Sequence, residues 1–233
     1  ITGDFDAKKM QQFIAQSFGS WSSSQPYQKI LSTDTDYPAQ KVHALSEQRE
    51  FGNYQSILTF PVGVDHPDAP ALIVFTNILG QSQLSSRLGQ ELREKNALVY
   101  GFGSDLQLDS DTNVGALTIE ANYTAGRGEQ VSQTVHHVLQ KLLQNGITEQ
   151  ELESAKADIL KKRVTTLEDE RSIHRMLNSQ LERGKNMLDR GQRDRDIAKL
   201  SKADIDAVIK KYIKLDHFVE VMADQYGQAA NKP

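Results

Sequence analysis

The chain is 233 residues long, carries a formal net charge of −4 and contains no cysteine. That length can bury a substantial core, as one large domain or one and a half smaller ones, and 38% hydrophobic with 25% charged residues is a globular balance. The missing cysteine excludes disulfides, thiolate zinc sites, iron–sulfur clusters and cysteine nucleophiles, and the mild acidic excess argues against nucleic acid as a partner, because phosphate binding needs a concentrated basic face.

The chain opens "ITGDFDAKKMQQFIAQSFGSW", without an initiator Met. Ile1 and Thr2 read as the end of a strand, Gly3 and Asp4 as a turn, and Asp6 as the cap of a helix with Phe13, Ile14 and Phe18 on one side. A strand with nothing before it suggests a fragment of a longer protein or a trimmed one. Residues 1–15 lack the basic start and apolar middle of a secretory signal, and no apolar run in the chain approaches the roughly 20 residues of a membrane span. Residues 19–40, rich in Ser, Thr, Asp and Pro and without periodicity, read as a linker or long surface crossing.

Two strands follow at 41–47 and 53–62, with Gly52-Asn53 as the turn between them. Residues 68–80 are apolar at Leu72, Ile73, Phe75, Thr76 and Leu79, which is helical spacing with an acidic start and Gly80 at the stop. Residues 82–96 form an amphipathic helix with Leu84, Leu88 and Leu92 on one stripe and a favourable Glu91–Lys95 pair. Runs 97–109 and 114–123 form a hairpin across "SDTN", expected at the centre of the sheet. Helices are predicted at 128–146, at 148–184 behind a Thr148…Glu151 capping box, and at 201–213, before a last strand at 216–223. The densest basic cluster, residues 181–196, is interleaved with acids and reads as a solvated helix face and loop. This order predicts an α+β fold: a mainly antiparallel sheet with helices packed on one face.

A search for self-sufficient chemistry finds little. None of the six histidines forms a His-Glu-x-x-His or His-x-x-Glu-His pair, and His136 and His137 lie about 100° apart around a helix. Each reads as a surface or satisfied structural histidine. "GFGSD" at 101–105 opens like a dinucleotide-binding loop but lies inside a hairpin, and Asp109 and Asp111 occupy a hairpin turn, where Asp bonds locally. What remains is Arg93, one turn before a helix end, and Tyr100, in the strand that begins at once. By composition alone they are a surface ion-pair former and a core aromatic with its hydroxyl at the rim.

The stretch "LGQSQLSSRLGQELREKNALVYGFGSDL" at 79–106 resembles the second-domain signature of the insulinase/pitrilysin family of zinc metallopeptidases. That signature combines a Leu-Gly turn, Ser-Ser-Arg-Leu, a Leu-Arg-Glu-Lys helix end and a Gly-Leu-Ala-Tyr-like strand. Here the last element carries Ala97 for the usual Gly and Val99 for Ala. "GDFD" with "SFGSW", and "NGITEQELESAKADI" at 145–159, resemble further pieces of the pattern, so the likeness runs from residue 1 to about 225. The tail is similar to large bacterial periplasmic zinc proteases of the PqqL type. The zinc motif His-x-x-Glu-His is missing, so the chain resembles the non-catalytic, C-terminal half.

The resemblance implies that two half-shells close around an unfolded peptide. The catalytic half, in the same chain or a partner subunit, holds the zinc of the intact enzyme, and this chain supplies no metal ligand and is inactive alone. It implies that Arg93 and Tyr100 touch substrate, with Tyr100 as the catalytic donor. A phenol beside a carbonyl oxygen that gains negative charge stabilises the transition state, and an arginine fork binds peptide carbonyls without reading sequence. On this reading residues 1–40 trail from a missing upstream part, 41–225 form the peptidase-family domain and 226–233 a tail. The compartment implied is the bacterial periplasm, with the cytoplasm as the other option. The alternative function is a structural or peptide-binding subunit of the same fold, without chemistry.

Overall fold

Period-two alternation builds the sheet. In the computed structural model, which describes residues 1–28, 30–31, 37–46, 50–83 and 85–227, β2 (Phe51–Phe60) turns Gly52, Tyr54, Ser56, Leu58 and Phe60 inward and leaves Phe51, Asn53 and Gln55 outside. It pairs antiparallel with β4 (Gly115–Thr124), which pairs antiparallel with β3 (Val99–Leu108). On its other side β2 pairs antiparallel with β5 (Val219–Asp224), and β5 pairs parallel with β1 (Gln40–Leu45). The order is β1-β5-β2-β4-β3, mainly antiparallel as expected.

Two expectations about this sheet fail for non-local reasons. Gly52 and Asn53 are not a turn; both lie inside β2. Gly52 faces Tyr123 across the ladder, and a Cβ there would lie 2.5 Å from the tyrosine ring. The glycine serves ring packing, which a local reading cannot distinguish from turn chemistry. The β3–β4 hairpin is not central either. β5, from the far end of the chain, inserts between β1 and β2, which makes β2 the middle strand and β3 an edge.

The helices follow capping and stripe patterns. α1 (Ala7–Phe18) is capped by Asp6, whose carboxylate accepts from the Lys8 and Lys9 N–H groups, and none of its residues is buried. Ile1 and Thr2 form no strand, since no described residue offers them a ladder. α2 (Ala69–Thr76) runs into a π turn at Asn77–Gln81, and nearly all of it is buried. The expected helix at 82–96 starts late, near Arg87, and becomes a π-helix over Gly89–Lys95. Ser82 and Ser86 divert the earlier residues: the Ser85 N–H donates to Ser82 Oγ at 3.3 Å, and the Ser86 hydroxyl donates to the Ser82 carbonyl. Leu84 of the expected stripe lies outside the described residues, as do Glu47 of the first strand and residues 228–233 of the tail.

α3 (Gly128–Asn145) and α4 (Glu149–Thr165) have the expected caps, including the reciprocal Thr148–Glu151 box. The single long helix expected at 148–184 is two. Asp169 adopts extended backbone and caps α5 (Glu170–Glu182) by accepting from the Ser172 N–H at 2.8 Å. α6 (Met187–Lys199) carries much of the basic cluster, which is more than a solvated face: Arg183 and Arg193 both reach Asp65, and Arg163 pairs with Asp194. α7 (Lys202–Tyr212) completes the layer. The core lies between the helices and one face of the sheet, around Tyr54, Leu58, Phe75, Leu79, Leu92, Ile119 and Leu139. The other face is open, with Val42, Phe51 and Val221 exposed on it.

Candidate functional site

Arg93 and Tyr100 flank a helix-to-strand joint held by core contacts. Leu88, just before the π-helix, and Leu92 within it have no exposure, and Gly89 lets the helix close on β3, since a Cβ there would lie 2.9 Å from the Phe102 ring. With Leu92 facing in, its neighbour Arg93 is exposed. Glu91 is tied down by Lys95 at 3.0 Å and Lys141 at 3.2 Å, and these cations, Lys95 foremost, hold its carboxyl below the usual range. The Arg93 guanidinium has no hydrogen bond or ion pair among the described residues.

The joint itself is strained. Asn96 Nδ2 donates to the Glu91 carbonyl at 2.6 Å, the Ala97 N–H to the Arg93 carbonyl at 3.2 Å and the Leu98 N–H to the Leu92 carbonyl at 2.8 Å. Closing these bonds puts Ala97 at a φ of 48°, the one positive φ among the described non-glycine residues. A left-handed residue with a Cβ costs roughly 1–2 kcal/mol, which accounts physically for a glycine in the resembling signature at this place.

Tyr100 is not a core aromatic. Val99 pairs with Tyr123 and Gly101 with Asn122, so Tyr100 is an extra residue in a β-bulge. The bulge breaks the alternation and puts the ring on the open face, 66% exposed, where it meets the Phe51 ring edge-on at 4.8 Å between centroids. Its hydroxyl has no hydrogen bond among the described residues. Phe51, which supports that ring, was not singled out by the sequence because it falls just before the expected strand. The exposed polar side of β2 and β4, Asn53, Gln55, Glu120 and Asn122, was visible only as ordinary alternation.

Two of the histidines are each tied closely to a single carboxylate. His136 Nε2 lies 2.7 Å from Glu220, and His43 Nε2 lies 2.7 Å from the fully buried Asp224. Glu220 also accepts from the Ser132 hydroxyl at 2.7 Å and from Tyr54 at 2.9 Å. Burial alone would raise its pKa, but the bonds from His136, Ser132 and Tyr54 outweigh burial and bring the carboxyl down to about 2. Among the described residues no group of three or more His, Asp or Glu side chains could hold a metal ion. The donor set of the described residues therefore does not fit a zinc centre. No described helix is long and apolar enough to cross a membrane.

Comparison with known proteins bears on this arrangement. A family model described as the peptidase M16 inactive domain matches residues 1–159. An uncharacterized zinc protease of Bacillus subtilis (strain 168), YmxG, is 32% identical over 156 residues, which is 66% of this chain and 36% of that protein. The chain thus spans little more than a third of that relative. Among solved structures, a peptidase M16 inactive domain from Pseudomonas fluorescens superposes with a TM-score of 0.81 at 22% identity, covering 99% of this chain and 53% of the other. The periplasmic protease PqqL from Escherichia coli superposes with a TM-score of 0.70 at 16% identity, covering 95% and 24%.

Proposed function

The chain belongs to the peptidase M16 inactive-domain family, and on that footing we propose that it is the zinc-free, C-terminal part of a metalloendopeptidase that encloses unfolded peptides. Arg93 and Tyr100 reach a peptide held by the catalytic half, which carries the zinc and its His-x-x-Glu-His ligands. The observation that carries this reading is the pair itself. A bulge turns the Tyr100 phenol onto the open face, and the Arg93 guanidinium stands on the other side of a joint strained at Ala97, neither of them hydrogen-bonded among the described residues. Two polar groups with no hydrogen bond among the described residues, beside a backbone held in a costly conformation, suit contact with a ligand better than support of the fold.

The chemistry assigned to each group follows from its type. The Tyr100 hydroxyl donates to the scissile carbonyl oxygen as negative charge develops on it. The Arg93 fork donates to backbone carbonyls of the extended substrate and sets its register. Both stand on rigid elements, a π-helix and a strand, which suits precise placement. Residues 1–40 belong with the upstream part, and residues 41–225 form the substrate-facing domain. By likeness to PqqL, described as a periplasmic protease, we place the protein in the periplasm.

The test is steady-state peptide cleavage by the full-length protein that contains this chain. Tyr100→Phe should lower kcat by roughly a hundredfold with KM nearly unchanged, as for loss of one oxyanion donor. Arg93→Ala should weaken both constants. A Tyr100→Phe enzyme that turns over like the wild type removes the oxyanion role.

A further inference from the structure

The open face of the sheet holds a groove beside Tyr100 that the chemistry above leaves unused. Gly101 and Gly103 of β3 floor it, and Asn53, Gln55, Glu120 and Asn122 line it. The ladder sets these residues in rows: Gly103, Glu120 and Gln55 in one, Gly101, Asn122 and Asn53 in the next.

The glycines are not needed for the chain's own packing. A Cβ at Gly103 would meet nothing within 4 Å, and one at Gly101 would meet only Asn122 Nδ2 at 3.6 Å, an ordinary contact. Neither has a positive φ. Glycine weakens a strand, so two of them on an edge strand over open space mark a place where another backbone approaches closely. Charge narrows the occupant. The open-face strand positions carry the carboxylates Asp105 and Glu120 and, among the described residues, no lysine or arginine. The Gln55 side-chain amide donates to Glu120 at 3.0 Å and steadies it within the groove.

We infer that this groove seats an extended segment of the peptide substrate and that Glu120 selects a lysine or arginine side chain within it. The inference rests on the peptide-enclosing reading and adds a substrate preference to it. The Asn53 and Asn122 amides can each donate to and accept from a peptide backbone lying over the glycines. The carboxylate forms a charge-assisted bond with the cationic side chain. Gly101 follows Tyr100 directly, so a peptide in the groove passes the phenol.

The experiment is an NMR titration of the 15N-labelled chain with two short, unstructured Ser/Ala peptides, identical except for a central Lys in one and Gln in the other. The Gly101 and Gly103 amide signals should move with the Lys peptide at an affinity about fivefold or more above the Gln peptide, and Glu120→Gln should bind both alike. Gly103→Val fills space that nothing else occupies, so it should keep the wild-type melting temperature and lose both peptides. Equal binding of the two peptides by the wild type overturns the inference, and so does a lysine preference that survives Glu120→Gln. Either result leaves the peptide-enclosing reading standing. Signals at Gly101 and Gly103 that stay fixed at millimolar peptide overturn the groove, while turnover of Tyr100→Phe in the full-length protein still judges that reading separately.

Discussion

Glu220→Gln probes the polar contact that pins the helices to the sheet beneath the open face. Glu220 lies on β5 and is 5% exposed, and its carboxylate accepts from Tyr54 on β2 and from Ser132 and His136 on α3. The substitution preserves shape but replaces one acceptor oxygen with an NH2 group, which turns two donors toward each other in a buried site. The magnitude follows from linkage. A carboxyl depressed from 4.5 to about 2 contributes about 3 kcal/mol of stability at neutral pH. The folded pKa lies below the unfolded one, so this contribution is fully present above about pH 4.5 and is lost as pH falls from there through about 2. Urea denaturation of wild type and variant at a series of pH values measures it. The variant should be less stable by about 3 kcal/mol at pH 7, and the gap should close as acid protonates Glu220 in the wild type. A gap below about 1 kcal/mol at pH 7, or one that does not change with pH, would refute the reasoning.

Two backbone substitutions test the fold around the site. Ala97→Gly relieves the left-handed cap and should stabilise by about 1 kcal/mol or slightly less, since glycine also loosens the unfolded chain, with a small rise in thermal midpoint as the readout. Gly52→Ala sets a methyl 2.5 Å from the buried Tyr123 ring and should destabilise by about 1–3 kcal/mol in denaturant unfolding. An unchanged Gly52→Ala protein would mean that the ring is free to move aside.

Capping and short-range periodicity are physics of a few neighbouring residues, and they were readable. The Asp6 cap, the Thr148–Glu151 box, the buried run after Asp68 and the alternation of β4 all stand where their patterns put them. Arg93 and Tyr100 were picked out by resemblance to a family signature, and most of that signature lies in the helix-to-strand stretch now seen at 89–108. The break at Asp169 and the late helix start after Ser86 were harder, because there Thr, Ser and Asp side chains compete with helix bonds that their neighbours favour.

The sequence by itself determined where most of the strands and helices fall, that they form an α+β layer pair, and that no cysteine-dependent chemistry is available. Only the tertiary structure decided that β5 inserts between β1 and β2, that β3 is an edge, and that a bulge turns Tyr100 away from the core. The physical reason is range. Propensity and capping act within a turn or two of the chain, whereas strand order and the face a bulged residue occupies are set by pairings between residues as far apart as Gln40 and Val219.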